Sequence, residues 1–409
     1  MKNSNPPVLK PVRINPFPAR LPAALGLLVL ASAASPPAFA QESLGDIEEV
    51  VVTGSRAERG VDLGSSIRLY GHVQTSFTYN LADPDQRKGA NRLRLSDPDH
   101  NAFGVPYAKV GLGRALSGRN ELDAGFRFEV AAGRMVEDVF EDPTLGDGGI
   151  TVPQAYVDLQ LPTPYNPLQV RLGRQHSWFG VESLDLYKNP NFSLSPLALA
   201  MPKTVTGLSA GMDLGGGLRY TQYLVQGWDR VEDDNDAKTF GGQLTWKAKD
   251  LALSLNWIVG EERTTSAGSY SHSEERQRWA LELGARYQPT LSTELRASLL
   301  YGQDGSDKFG GFSVLVSQGL FEVGGEGFHR LTASLRGSYL RDQGGSRTGI
   351  DHALGELTTT LALNFTKNAS LRVEYRRDFS SADDAFLGHR GRPSRSGQDT
   401  FALALHYAF

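Results

Sequence analysis

The stretch Phe401-Ala402-Leu403-Ala404-Leu405-His406-Tyr407-Ala408-Phe409 ends the 409-residue chain and places a large apolar or aromatic side chain at every second position. A period of two sends successive side chains to opposite faces of an extended strand, so one face of this segment is wholly apolar. The pattern recurs upstream. Leu251, Leu253, Leu255, Trp257 and Val259 alternate with Ala252, Ser254 and Asn256. Leu357, Thr359, Leu361, Leu363 and Phe365 alternate with Thr358, Thr360 and Asn364, and Leu281, Leu283, Ala285 and Tyr287 with Glu282 and Arg286.

Sixteen such strands are expected, near 67–79, 104–113, 121–132, 152–161, 168–177, 203–213, 217–226, 239–248, 250–260, 278–288, 291–302, 311–320, 328–341, 354–366, 369–380 and 399–409. Gly clusters blur the sixth and the twelfth, which leaves fourteen as the alternative; the count is even either way. The connections alternate in length, as in bacterial barrels that pair short periplasmic turns with longer outside loops. Short ones include Leu214-Gly215-Gly216, Ala248-Lys249, Pro289-Thr290 and Lys367-Asn368. Long polar ones occupy 80–103, 133–151, 178–202, 227–238, 261–277, 342–353 and 381–398. The expected fold is all-β, a transmembrane antiparallel up-and-down barrel with both ends on the periplasmic side. A soluble β-sandwich or propeller would also alternate, and charge on the polar face does not separate the two.

The first forty residues read as an export signal. Lys2, Lys10, Arg13 and Arg20 precede an apolar run from Leu21 to Ala34 and the small-residue ending Ala38-Phe39-Ala40, with cleavage expected before Gln41. That run is short of the about 20 apolar residues a spanning helix needs. The expected organisation is a signal peptide at 1–40, a periplasmic tail at 41–64 and the barrel at 65–409. Removing four basic residues and no acidic one takes the formal net charge from -4 to -8, which argues against a nucleic-acid partner. With no Cys, an exported fold gains nothing from disulfides, and a closed hydrogen-bonded barrel is one remedy. Gly, at 45 residues, exceeds the usual ~7% and suits tight turns.

The terminal Tyr407 and Phe409 resemble the closing strand by which outer-membrane barrels are recognised for assembly. Tyr70, Tyr79, Trp228, Trp279, Tyr301 and Tyr339 are candidates for interfacial girdles, or alternatively for core aromatics. Several segments are similar to the OmpL-like family of β-barrel porins from about residue 67 onward. They are Tyr70-Gly71-His72-Val73 with Phe77-Thr78-Tyr79-Asn80, Asp97-Pro98-Asp99-His100-Asn101-Ala102-Phe103, Gln154-Ala155-Tyr156-Val157, Asn191-Phe192-Ser193, Ala200-Met201-Pro202, Gly227-Trp228-Asp229 and Glu374-Tyr375-Arg376. The resemblance implies a Gram-negative outer-membrane barrel with a diffusion-type channel. Its expected partners are the bilayer and lipopolysaccharide, the barrel assembly machinery and small hydrophilic solutes, as a monomer or homotrimer. Glu49-Val50-Val51-Val52-Thr53-Gly54 resembles the TonB-contacting segment of TonB-dependent receptors, yet the first strand follows too soon for a plug domain. A tail able to pair with a partner edge is the alternative.

Catalytic chemistry is not legible. The eight His residues, at 72, 100, 176, 272, 329, 352, 389 and 406, show no ligand spacing, so neither a metal nor a cofactor is expected. His329 with Ser298 carries no motif of a nucleophile and base, and the acidic loop Asp229 to Asp236 lacks the Gly and terminal Glu of an EF-hand. If the apolar faces meet lipid, Arg127, Arg219, Arg286, Arg296, Arg336, Arg372 and Arg376 face the lumen, with Glu129, Asp158, Glu282 and Glu374. Arg on the lipid face would cost about 2–4 kcal/mol at mid-depth. The segment 178–202, with Pro190, Pro196 and Pro202, is too Pro-rich for an inner strand and is expected to fold into the lumen. The function expected is passive diffusion of small hydrophilic solutes. The alternatives are a TonB-assisted transporter and a structural or adhesive barrel. If Phe409 belongs to an assembly signal, Phe409→Ser should lower the amount of heat-modifiable barrel in outer membranes; unchanged amount and gel mobility would remove that role.

Overall fold

Alternating apolar and polar residues with turn residues between them produce sixteen long strands in the computed structural model, which describes residues 60–139, 149–232, 235–265, 273–322 and 329–409. In chain order they are β1 Ile67–Asn80, β2 Ala102–Arg114, β3 Asp123–Ala132, β4 Ala155–Leu161, β5 Leu168–His176, β6 Thr204–Gly215, β7 Leu218–Val225 and β8 Thr239–Lys247. Then follow β9 Leu251–Thr265, β10 Ser273–Thr290, β11 Thr293–Asp304, β12 Asp307–Glu322, β13 His329–Gln343, β14 His352–Asn364, β15 Ala369–Ser380 and β16 Gly397–Ala408. Each pairs antiparallel with its sequence neighbour, and β16 returns to β1 with Tyr407 opposite Val73 and Phe401 opposite Tyr79. Closure leaves no sheet edge, which is what a spanning sheet requires. The sixteen expected strands are all present, including the sixth and twelfth. The export signal and the Glu49–Gly54 segment lie outside the described residues.

Which face is outward separates a membrane barrel from a sandwich. Leu172 is 63% exposed, Val314 46% and Leu403 44%, whereas the alternate positions Arg336 and Glu282 are at 0%. The apolar face points away from the barrel and the charged face points in, the inverse of a soluble sheet.

Three details differ from expectation. Strands β9 and β10 continue past the apolar band, with Glu261 opposite Gln277 and Arg263 opposite Glu275. The ladder outlasts the hydrophobic signal because main-chain pairing does not need apolar side chains once it leaves the membrane. The connection from β11 to β12 shrinks to Gly305-Ser306, with Gly305 at φ 60, a left-handed value suited to Gly in a tight hairpin. Tyr70 and Trp228 do not belong to a girdle. The Tyr70 hydroxyl donates to Glu129 Oε1 at 2.9 Å inside the barrel, and Trp228 is buried between Arg278 and Arg347. Trp279 and Tyr301 do face outward, with ring centroids 5.6 Å apart and Tyr301 49% exposed.

The expected topology is open to a direct test because the chain has no native Cys. Asp383→Cys should react with an impermeant thiol reagent on whole cells and Lys367→Cys should not; the reverse labelling would invert the barrel.

Candidate functional site in the lumen

The connection between β5 and β6, residues 177–203, runs into the barrel. Its prolines deny it ladder hydrogen bonds, and it forms only two short 3-10 turns, Leu186–Lys188 and Pro196–Ala200. Its first anchor is apolar. Trp178 stacks on Tyr223 with ring centroids 3.7 Å apart, in a cluster that includes Phe179, Leu197, Val205, Ile258 and Leu300.

The second anchor is a row of arginines. Arg286 pairs with Arg296 across β10 and β11, Arg296 with Leu315, Leu315 with Arg336, Arg336 with Thr358, and Thr358 with Arg376. These side chains therefore share one register row across six adjacent strands. The loop's main chain lies along it. Arg296 donates to Val181 O at 3.1 Å, Arg336 to Ser193 O at 2.5 Å and Arg376 to Leu194 O at 2.6 Å, while Arg372 reaches Leu186 O and Tyr187 O, both at 2.9 Å. Loop amides are met in the complementary sense. Glu374 accepts from Phe192 N at 2.7 Å and Ser193 N at 3.1 Å, and Glu282 from Gly180 N at 2.9 Å. Charge is balanced by Glu182 and Glu356 on Arg336, at 2.6 and 3.1 Å, and by Asp378 on Arg376 at 2.8 Å.

A third anchor ties the loop to the adjoining wall, three strands beyond β15. Asp185 meets Lys109 of β2 at 2.9 Å and Lys188 at 3.1 Å, and Lys109 also reaches Glu129 of β3 at 3.0 Å. Burial alone would raise the Asp185 carboxyl, but the two lysines outweigh it and hold it well below the usual carboxylate range. At the end that carries the long connections the β14–β16 flank is roofed. Phe386 packs on Leu354 with Leu93, Leu199 and Ile350, so four connections meet there. Arg94 drops from the first connection onto Asp378 and Thr400 at 2.9 and 2.6 Å.

The eleven charged residues singled out from sequence thus divide. Arg296, Arg336, Arg372, Arg376, Glu129, Glu282 and Glu374 are covered, each at 5% exposure or less. Arg127, Arg219 and Arg286 keep water contact, with side chains 19%, 30% and 19% exposed. Asp158 pairs with Arg171, whose guanidinium lies 3.8 Å over the Tyr156 ring. Sequence reading passed over Lys109 and Arg171, although each occupies the inward position between apolar neighbours on its strand, the same signal that found Arg372. Glu182, Asp185 and Arg94 lie on loops, where no periodicity points to them. Ser298 donates to Glu282 at 2.6 Å, a wall contact, and Asp229 accepts from Lys203 N and Thr204 N at 2.6 and 2.8 Å, which folds its loop. Among the described residues, no group of three or more His, Cys, Asp or Glu side chains is placed to hold a metal ion.

A closed sixteen-strand barrel with a charged interior and an inward loop is matched by a family model described as "Putative beta-barrel porin-2, OmpL-like" over residues 66–409. The chain belongs to this family. No curated protein sequence matches the porin. Its fold is similar to the anion-selective porin from Comamonas acidovorans, at 17% identity and TM-score 0.52, over 84% of this chain and 99% of that one. It is also similar to the channel DcaP of Acinetobacter baumannii, at 13% identity and TM-score 0.57, over 86% and 100%. Salmonella typhi OmpF gives 14% identity and TM-score 0.53 over 86% and 100%. The protein is an outer-membrane porin, a passive channel of the bacterial outer membrane, and its family and fold are those of a channel rather than an enzyme.

Arg336 holds the loop most directly, since it is fully buried and binds Glu182, Glu356 and Ser193 O together. Removing one partner of such a buried pair costs about 3–5 kcal/mol. Arg336→Met should therefore lower the unfolding temperature and give a larger, noisier single-channel conductance in planar bilayers. Unchanged conductance and melting would mean that the loop does not depend on this residue.

Proposed function

We propose that the porin passes small hydrophilic solutes along the β3–β10 side of the lumen, beside the inward loop, with a modest preference for anions. One observation carries this reading: Arg127, Arg171, Arg219 and Arg286, on β3, β5, β7 and β10, keep water contact, while Arg296, Arg336, Arg372 and Arg376, on β11, β13 and β15, are covered. Arg127, Asp158, Arg219 and Arg286 then line the solute path together with Arg171. The other seven of the eleven serve it indirectly, by fixing the loop that narrows it. Asp158, Asp213 and Glu294 offset part of the positive charge, through pairs of 2.7, 3.0 and 2.6 Å. Arg127 has Glu129 at 3.6 Å, but that carboxylate is buried and also meets Lys109 at 3.0 Å, so the water-facing surface of this wall keeps a small positive excess. Fixed charge in a restricted water path is less screened than at an open surface, so a small excess biases ion entry.

The rest of the molecule fits a passive role. In this reading the segment before Gln41 is an export signal, Tyr407 and Phe409 address the assembly machinery, and the outer rim meets lipopolysaccharide. A TonB-assisted route would rest on Glu49–Gly54 alone, and an adhesive barrel would need a sealed lumen.

Planar-bilayer recording of the purified protein separates these readings, since it supplies no energy source. The passive reading requires conductance there. The triple variant Arg127→Gln, Arg219→Gln, Arg286→Gln should move the zero-current potential in a salt gradient toward cations, whereas Arg372→Gln should act mainly on conductance noise. A wild-type barrel that conducts nothing would defeat the passive reading, and a triple variant with wild-type selectivity would take these arginines out of the path.

A further inference from the structure

The outward face of β10–β13 records where the membrane ends. Down each strand the outward positions change from polar to apolar at one step: Gln277 to Trp279 on β10, Gln303 to Tyr301 on β11, Arg341 to Tyr339 on β13. On β12 the step runs from Lys308 through Gly310 to Phe312. Aromatic rings mark the headgroup level of a spanning barrel. Here Phe312 stacks on Tyr339 with ring centroids 6.0 Å apart and 23° between planes, and Tyr301 and Phe312 are 49% and 48% exposed. Lys308 and Arg341 are thus the first charged side chains above the apolar band on this wall.

The two cations stand together. Lys308 lies opposite Gln343 and Arg341 opposite Gly310, so they are diagonal neighbours on adjacent strands, about 7 Å apart at Cβ. Gly310 between them has no side chain to fill the space. Arg341 is paired with Asp351 at 2.6 Å, both well exposed, and Lys308 is exposed too. The local charge remains positive after that pairing. Two basic groups set above an aromatic shelf, and continuous with a lipid-facing wall of Leu and Val, match an amphiphile whose head is anionic and whose tails run down the barrel.

We propose that Lys308 and Arg341, with the Tyr301, Phe312 and Tyr339 rings beneath them, form a binding site on the outer rim for the phosphate of lipopolysaccharide. The site rests on the outer-membrane placement and on the expected topology, which puts the β12–β13 ends named here at the outer leaflet. An Arg or Lys against phosphate forms a charge-assisted hydrogen bond, and the aromatic shelf holds the glycolipid at the level where that bond can form.

The test uses the full barrel extracted from outer membranes in mild detergent, with native mass spectrometry reading retained lipopolysaccharide. Wild type should retain it, and Lys308→Gln with Arg341→Gln should retain at least five-fold less, with heat-modifiability and conductance unchanged because neither residue touches the lumen. Lys308→Gln alone should give an intermediate loss, which guards against a misfolded double variant. Added lipopolysaccharide should raise the melting temperature of delipidated wild type, and its dephosphorylated form and phosphatidylglycerol should not. Equal retention by the double variant, or an equal response to phosphatidylglycerol, would overturn the site while leaving the porin reading intact. Wild type missing from outer-membrane fractions would overturn the placement and the site together.

Discussion

A polypeptide segment that enters the lumen of a barrel brings its carbonyl and amide groups with it, and each one shielded from water must find a partner or cost free energy. That constraint organises this porin. Residues 180–194 form little ladder of their own, so their main-chain groups are met by the wall: carbonyls by Arg296, Arg336, Arg372 and Arg376, amides by Glu282 and Glu374. The dependence is mutual. Buried guanidinium groups would themselves be costly without acceptors, and the loop supplies carbonyls where the wall supplies too few carboxylates.

An asymmetric lumen follows. The arginine row occupies β10 to β15, so the loop lies against that half, and Phe386, Leu354 and Leu93 close over the same side. Three strands beyond β15, Asp185 on Lys109 fastens the loop to β2 as well. Along the arc from β3 to β10 the start of the loop covers Val205, Tyr223 and Ile258, yet Arg171 on Asp158 and Tyr156, and Arg219 on Asp213, keep water contact and are held by local pairs rather than by the loop. Charges of one residue type on one continuous wall therefore have two environments, some fastening main chain and others left in contact with water.

The outer surface obeys a different rule. There the side chains answer to lipid, and the step from Arg341 to Tyr339 along one strand is as sharp as the step from headgroup to hydrocarbon. Main-chain pairing ignores that boundary, which is why β9 and β10 run on to Thr265 and back from Ser273.

Period-two alternation carried most of the fold. Because strand side chains alternate strictly, one residue of parity places Arg336 or Leu403 inward or outward before any neighbour is known. The same parity pointed to Lys109 and Arg171 and was not followed there. Residue type, not parity, left Tyr70 and Trp228 open, since an aromatic ring suits a girdle or an interior equally and only its hydrogen-bond and stacking partners decide. By itself, then, the sequence determined the closed barrel, its even strand count, the inward set of charges and a Pro-rich loop unable to join the sheet. Only the tertiary structure decided which inward arginines meet water and which meet the loop. Arg336 and Ser193 are 143 residues apart and Arg372 and Leu186 are 186 apart, and contacts of that separation depend on where barrel closure carries each strand, which no local pattern encodes.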